Sequence, residues 1–183
     1  MMSGWAQHLE PGVDRRALLL KLSFALTLAA SSSVEASTPP AEALPAGHMP
    51  DLRGIWRSEY TYMSSGREEE FRDVHFVVVD QKGRNLNVTS LPHSTGSNVR
   101  IALTLDGLAA TGTWEERTSP TGYYKGTIYR GAIQLLLTPS MTHMTGKWLG
   151  FGKEFSIDTG AWDLTLEDRS MSARTRAGYD LRV

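Results

Sequence analysis

Cysteine is absent from the 183 residues of the chain. This absence excludes a disulfide framework, a thiolate nucleophile and a cysteine-ligated zinc site. An excess of one charge is also missing, because 19 Lys and Arg residues face 20 Asp and Glu residues. Nothing in this balance indicates attraction to nucleic acid or to an anionic membrane, and no direct nucleic-acid binding is expected. The length favours one domain with appendages over two full domains.

A hydrophobic run long enough to cross a membrane is missing as well. The longest one, Leu18–Ala30, covers 13 residues and includes Lys21, whereas a stable span needs about 20 apolar residues. Its length suits the hydrophobic part of a secretory signal, and the preceding Arg15 and Arg16 are typical of a twin-arginine signal. Its apolar residues also fall at helical spacing, which fits a linker. Residues 13–37 are thus either a cleaved signal or a linker remnant, and the chain is either cytoplasmic or exported.

Three regions follow from the composition. Residues 1–50 are predicted to hold the signal-like or linker segment and then a flexible tether rich in Pro, Ala and Ser. Residues 51–168 are predicted to form the folded domain. Residues 169–183 contain several arginines and few apolar residues, so they are predicted to be a disordered basic tail.

Signatures of catalysis and of metal binding are missing too. The five histidines have no spacing that identifies a metal site from the sequence. No Gly-x-Ser-x-Gly motif is present, and Gly150-Phe151-Gly152 lacks the third glycine and the helix of a dinucleotide site. No catalytic residue, metal site or cofactor is therefore predicted, and the sequence favours a non-enzymatic protein.

What the chain does contain is alternation of apolar with polar or small residues, as in residues 99–105. This pattern is typical of strands with one buried face. Turn signals separate the runs at Lys82-Gly83, Asp106-Gly107, Pro120-Thr121-Gly122 and Arg130-Gly131. Strands are predicted at 53–62, 70–80, 84–91, 98–105, 109–117, 123–130, 132–138, 142–149 and 160–167. Short strands joined by tight turns predict an all-β, antiparallel up-and-down barrel of 8–9 strands.

Aromatic residues are the candidate ligand-binding residues. The pattern Gly-x-Trp occurs four times, and Trp56, Tyr60 and Tyr62 share one face of the first strand. Trp and Tyr combine a large apolar area with one polar handle, which suits a pocket that orients a ligand. The same rings could instead fill the interior of a small barrel. The candidates are Trp56, Tyr60, Tyr62, Trp114, Trp148, Trp162 and, on a connection at the barrel mouth, Phe151.

Two resemblances bear on the fold. Gly54-Ile55-Trp56 resembles the start of the first strand in the calycin group, which comprises lipocalins, fatty-acid-binding proteins and avidin-like barrels. This resemblance implies a calycin-like barrel in which the Trp closes one end. A longer resemblance covers about 52–167 and rests on the strings SLPHSTGSNVRIALTLDGLAATGTWEERTSPTGYYKGTIYRGAIQLLL and MTGKWLGFGKEFSIDTGAWDLTL. They are similar to an uncharacterised domain of actinobacterial proteins, several of which carry an N-terminal helix-turn-helix of the XRE type.

The second resemblance implies that the barrel is the sensor half of a transcriptional regulator. The residues before Asp14 are too few for a helix-turn-helix, so DNA binding is not carried over to any residue here. The sequence thus predicts a module that binds or senses a small apolar or amphipathic molecule, without catalysis. The alternative is an exported barrel protein of the cell envelope. The sequence does not indicate an oligomeric state.

Overall fold

A computed structural model describes residues 49–64, 69–152 and 156–180 of the chain. The predicted signal-like or linker segment and almost all of the tether lie outside these residues, as does Phe155 of the predicted mouth connection.

Eight antiparallel strands form a closed barrel in which each strand pairs with the next and the last returns to the first. The predicted up-and-down barrel is therefore confirmed. The strands are β1 (Gly54–Ser64), β2 (Glu69–Lys82), β3 (Asn85–Ser90), β4 (Asn98–Asp106), β5 (Ala109–Arg117), β6 (Ile128–Leu137), β7 (His143–Phe151) and β8 (Ile157–Asp168). Strand β4 shows the underlying rule, because its buried and exposed residues alternate along most of its length.

Two-residue connections join β2 to β3 and β4 to β5 at one end of the barrel. Gly83 and Gly107 begin these connections with φ angles of 58° and 59°. Side chains disfavour this left-handed region, whereas glycine adopts it without steric cost. The turn predictions at Lys82-Gly83 and Asp106-Gly107 are therefore confirmed.

The predicted ninth strand is wrong. The segments 123–130 and 132–138 were expected to be two strands separated by a turn at Arg130-Gly131, but β6 runs through this point as one strand. Gly131 lies within the sheet, paired with Trp114 on β5 and with Gly150 on β7. The glycine is thus needed for close packing inside the barrel and does not mark a turn.

Two glycines leave room for tryptophan rings that come from the neighbouring strand. A Cβ atom at Gly131 would collide with the Leu149 carbonyl and would approach Trp114 Nε1 to 2.7 Å. A Cβ atom at Gly160 would collide with the Thr61 carbonyl and would approach Trp148 Nε1, again to 2.7 Å. Among the four glycines of the Gly-x-Trp pattern, Gly160 is therefore the one that lies under an indole ring from the next strand, whereas a Cβ atom at Gly112 or Gly146 would meet backbone of a neighbouring strand.

The chain that enters β1 closes the end of the barrel that carries the two short connections. Leu52 is fully buried, and its carbonyl accepts a 2.9 Å hydrogen bond from Trp56 Nε1. Gln81 fixes this segment, because its side chain accepts from Leu52 N and donates to Pro50 O, each at 2.8 Å. The apolar core fills the interior above this closure.

A short helix, α1 (Ala173–Tyr179), follows the barrel where the sequence predicted a disordered tail. Ser172 caps its first turn, since the side chain accepts a hydrogen bond from Thr175 N. The ring of Tyr179 packs against Phe76 on β2, with the ring centres 5.0 Å apart. These two contacts order part of a segment whose composition alone indicates disorder.

Within the described ranges, we find no helix that is long and apolar enough to cross a membrane.

Candidate functional site

The end of the barrel opposite Leu52 carries the longer connections. In an up-and-down barrel every second connection lies at the same end, so β1–β2, β3–β4, β5–β6 and β7–β8 are joined here. The β3–β4 connection spans residues 91–97 and the β5–β6 connection spans residues 118–127. We call this end the mouth. Loops held by a rigid scaffold are where binding residues concentrate.

The inward face of the strands changes from apolar to polar as they approach the mouth. The inward-facing residues of β2 are, in order towards the mouth, Val79, Val77, His75 and Asp73. In the pairing of β1 with β2, His75 lies opposite Ser58 and Asp73 lies opposite Tyr60. On β5, across the barrel from β1, Glu116 follows Trp114 on the inward row. We call the residues that converge at this level the mouth cluster: Tyr60, Asp73, His75, His93 and Glu116.

The Tyr60 hydroxyl connects two carboxyl groups. It lies 3.3 Å from Asp73 Oδ2, and it is close enough to the Glu116 carboxyl to favour the ionised form of that group. Tyr60 itself is only 4% exposed. The 3.3 Å contact is long for an O–H···O hydrogen bond, but the low polarity of this buried place strengthens the interaction of the phenol with the carboxyl groups.

The two carboxyl groups differ in their affinity for a proton. Burial raises the pKa of Glu116 from 4.5 to about 7, against the opposing hydrogen bond from Tyr60. Burial also raises the pKa of Asp73, but the imidazoles of His75 and His93 and the Val74 N–H outweigh it and leave this pKa below its ordinary value. Burial, followed by the nearby carboxylates, raises the pKa of Tyr60 well above 10. Near neutral pH the cluster therefore contains an ionised Asp73, a half-protonated Glu116 and a neutral phenol.

The two histidines have different surroundings. His93 lies on the β3–β4 connection, where Nε2 donates to Val74 O at 2.9 Å and Nδ1 lies 2.7 Å from Thr95 Oγ1. Burial and the neighbouring His75 lower the pKa of His93. His75 is fully buried, and neither of its ring nitrogens has a hydrogen-bond partner among the described residues. Its Nε2 is 3.6 Å from Asp73 Oδ2, which is longer than a hydrogen bond.

The β5–β6 connection extends over the mouth. Tyr124 on this connection shares a 2.7 Å hydrogen bond with the buried Ser64 at the end of β1. Its ring also packs edge-on against Tyr129, with centres 5.8 Å apart. The connection is fixed at its base by hydrogen bonds from Thr118 N to Thr127 O and from Thr127 N to Tyr124 O, each 3.0 Å long. This connection therefore reaches from β5 and β6 to the mouth end of β1.

The aromatic candidates fall into three positions. Four rings form one packed layer below the mouth, namely those of Tyr60, Trp114, Trp148 and Trp162. The ring centres of Tyr60 and Trp162 are 4.6 Å apart, and those of Trp114 and Trp148 are 5.3 Å apart. Trp56 lies towards the closed end, whereas Tyr62 lies beside Tyr60 with ring centres 6.2 Å apart. The remaining candidate is the last residue of β7, on the outer wall and 58% exposed: Phe151.

The indole N–H groups of the packed layer donate hydrogen bonds to other residues of the barrel. Trp114 donates to Leu149 O at 3.2 Å, and Trp148 donates to Thr61 O at 2.9 Å. Trp162 donates to Ser58 Oγ at 2.8 Å. Each of the three indole N–H groups therefore already has a hydrogen-bond acceptor inside the protein. This is expected of rings that fill the barrel interior, which was the alternative to a ligand pocket.

Four residues of the mouth cluster were not among the candidates. Asp73 and His75 do carry a signal, because they continue the inward row of Val77 and Val79 with polar residues. Glu116 carries a weaker one, two residues after an inward tryptophan. His93 has no such signal, since its place depends on the path of the β3–β4 connection.

Two surface concavities lie on the outer wall and not at the mouth. A groove of about 680 Å³ runs across β3 to β6 and is lined by residues that include Arg100, Glu115 and Arg130. A smaller one of about 330 Å³ is lined by Arg57, Glu59, Arg72, His143, Asp163 and Thr165. The groove also has an apolar part that includes Ala102 and Phe151. The smaller concavity is lined by charged and polar side chains, and such a lining is ordinary for a solvated barrel wall.

A comparison with models of known protein families and with characterised proteins finds no match for this chain.

Proposed function

We propose that this protein is a non-enzymatic barrel module that binds or senses a small amphipathic molecule at its mouth. The observation that carries the proposal is the placement of the Tyr60 hydroxyl between the Asp73 and Glu116 carboxyl groups. Polar groups that point into an otherwise apolar interior are what a ligand pocket uses to orient its guest. The packed tryptophan layer beneath them limits how deep a ligand can reach.

The chemistry of the mouth favours a particular polar head on the ligand. Two carboxyl groups accept hydrogen bonds from an ammonium or a hydroxyl group, and they repel a carboxylate. The rings of Tyr62 and Phe71, whose centres are 5.7 Å apart, offer an apolar surface beside Tyr60. Aromatic faces also attract cations. A primary amine on an apolar chain fits both properties.

The biological setting of such a module rests on the sequence. A lipocalin-like barrel similar to the actinobacterial domain would serve as the sensor half of a regulator of the XRE type, in the cytoplasm. If residues 13–37 are a twin-arginine signal, the same barrel would instead be exported to the cell envelope. Ligand binding at the mouth is compatible with either setting.

The proposal is tested with three probes of equal chain length: an alkylamine, an alkanol and an alkanoate. Binding is followed by tryptophan fluorescence, because Trp162 lies 4.6 Å from Tyr60 and reports on its surroundings. We expect the amine to bind most tightly and the alkanoate least. Tyr60→Phe removes one hydroxyl and keeps the ring, so it should weaken amine binding about 3- to 10-fold, the worth of one hydrogen bond.

Glu116→Gln should also weaken amine binding, because it removes a negative charge from the mouth. Glu115→Gln is the matched control, since Glu115 lies on the same strand but faces outwards to Arg130 at 2.8 Å. The proposal fails if no probe binds saturably to the folded protein. It also fails if Tyr60→Phe and Glu116→Gln bind the amine as tightly as the control does.

A further inference from the structure

Three side chains of metal-binding type meet on one side of the mouth cluster. Asp73 and His75 lie two residues apart on β2 and so point to the same face of the strand. His93 reaches the same place from the β3–β4 connection. One potential ligand atom from each of the three lies within 4.8 Å of the other two. We infer that Asp73, His75 and His93 bind a divalent transition-metal ion of the class of Zn²⁺.

His75 provides the independent support for this site. The side chain is fully buried, and both ring nitrogens lack a partner among the described residues. Buried polar groups are nearly always satisfied, and an exception in a folded protein calls for a functional explanation such as an ion. A metal ion accepts the lone pair of one ring nitrogen, which gives a partner to one of the two atoms that the protein leaves unmet.

The distances are close to those that a metal site needs. His75 Nε2 is 3.6 Å from Asp73 Oδ2, and His93 Nε2 is 3.9 Å from Asp73 Oδ1. Zinc lies about 2.0–2.2 Å from nitrogen and oxygen ligands, so its tetrahedral ligands are about 3.4 Å apart. The two distances exceed this separation by about 0.2 and 0.5 Å, but they involve different oxygens of Asp73 and the three ligand atoms span up to 4.8 Å. Small rotations of these side chains would therefore be needed to bring one atom of each to binding distance.

Metal binding requires a change in the hydrogen bonds of His93. In the metal-free arrangement Nε2 donates to Val74 O at 2.9 Å, so this nitrogen carries the proton. When Nε2 binds a metal it gives up Val74 O, and the proton moves to Nδ1, which then donates to Thr95 Oγ1 at 2.7 Å and no longer accepts from Thr95 N. A metal-bound histidine usually donates its other N–H in this way, and the partner fixes the ring. Thr95 is already in place for that role.

The ligand set defines the class of metal. Two imidazoles and one carboxylate are typical of zinc and of non-haem iron, and they leave a coordination position for water or a ligand. The mouth above the cluster would supply that ligand. The two proposed sites share Asp73. His75 and His93 belong to the metal site alone and Glu116 to the ligand site alone, so His75→Phe and Glu116→Gln test the two proposals separately.

The test uses the full chain after chelator treatment, with Zn²⁺ competing against a chromogenic chelator and Co²⁺ followed by its visible absorption. We expect one equivalent to bind. His75→Phe keeps an aromatic ring and removes the lone pair, and Asp73→Asn weakens the carboxylate ligand. Each should reduce affinity at least about 10-fold, as loss of even an outer-shell partner does.

His143→Gln and His48→Gln are the controls. His143 lies on the outer wall, 3.5 Å from Asp163, and His48 precedes the described residues. The inference is overturned if the folded wild type binds neither ion saturably, or if the controls reduce binding as much as His75→Phe does. The alkylamine titration is repeated on protein that has been treated with the chelator, so that ligand binding is measured without metal. The outcome for the metal site is thereby kept separate from the outcome for the proposed function. Amine binding without metal binding would refute the metal site alone.

Discussion

Glu116→Gln should make the barrel more stable at alkaline pH and change its stability little in acid. Burial raises the pKa of the Glu116 carboxyl from 4.5 to about 7, so the folded protein holds a proton that the unfolded chain has already lost. Below about pH 4.5 both states are protonated and the carboxyl costs no stability. As the pH rises towards 7, folding must take up a proton, and the cost grows until the folded carboxyl also ionises.

The size of the effect follows from the shift. A difference of about 2.5 pKa units at 1.36 kcal/mol for each unit gives a cost of about 3 kcal/mol above pH 7. Glutamine is nearly the same size and uncharged, so it removes this cost while it can still hydrogen-bond to Tyr60. The variant should therefore be more stable than the wild type at about pH 8. The difference between their free energies of unfolding should be about 3 kcal/mol larger at that pH than at about pH 4.5.

The assay is urea denaturation of the wild type and the variant at both pH values. The other titrating groups of the mouth cluster, Asp73 and His93, are present in both proteins, so their contributions cancel in the difference. Glu115→Gln again serves as the control and should show no such pH-dependent gain. If the gap between Glu116→Gln and wild type is the same at both pH values, the Glu116 carboxyl is not held protonated by the fold.

Three further changes test the packing. Gly160→Ala should lower the free energy of unfolding by about 3 kcal/mol or more in a denaturant titration, because the new methyl group collides with the Thr61 carbonyl as well as Trp148 Nε1 and backbone cannot move aside. Gly83→Ala, which meets nothing within 4 Å, should cost only the roughly 1–2 kcal/mol of its backbone conformation, and an equal loss at both sites would refute the close approach. Trp56→Ala should cost about 3–5 kcal/mol, since Trp56 is fully buried, and a small loss would show that the closed end is not packed. Removal of residues 1–48 should leave the melting temperature within a few degrees, whereas a large fall would mean that this segment supports the barrel.

The sequence by itself determined the class and order of the fold. Alternation in segments such as Asn98–Asp106 sets which face of a strand is buried, and this information is local because side chains alternate every residue. Turn glycines such as Gly83 and Gly107 likewise act through their own backbone angles. Eight tightly connected strands then have few ways to hide their edges, and closure into a barrel is the simplest.

The tertiary structure alone decided what the glycines within strands do. Gly131 reads as a turn residue from its neighbours in sequence, yet its role depends on Trp114 and on the Leu149 carbonyl. These contacts come from two adjacent strands, and the register between strands is not written in any short stretch. The same limit applies to the tryptophans, whose filling of the interior depends on the size of the closed barrel.

The mouth cluster shows this division most clearly. Inward placement of Asp73 and His75 follows from their positions on β2, so the sequence contained half of the information. Closure of the barrel sets Glu116 opposite Tyr60, and the path of one connection brings His93 beside His75, at a ring distance of 4.5 Å. Burial then shifts the proton affinities of the group, because desolvation depends on everything that surrounds a side chain and not on its neighbours along the chain.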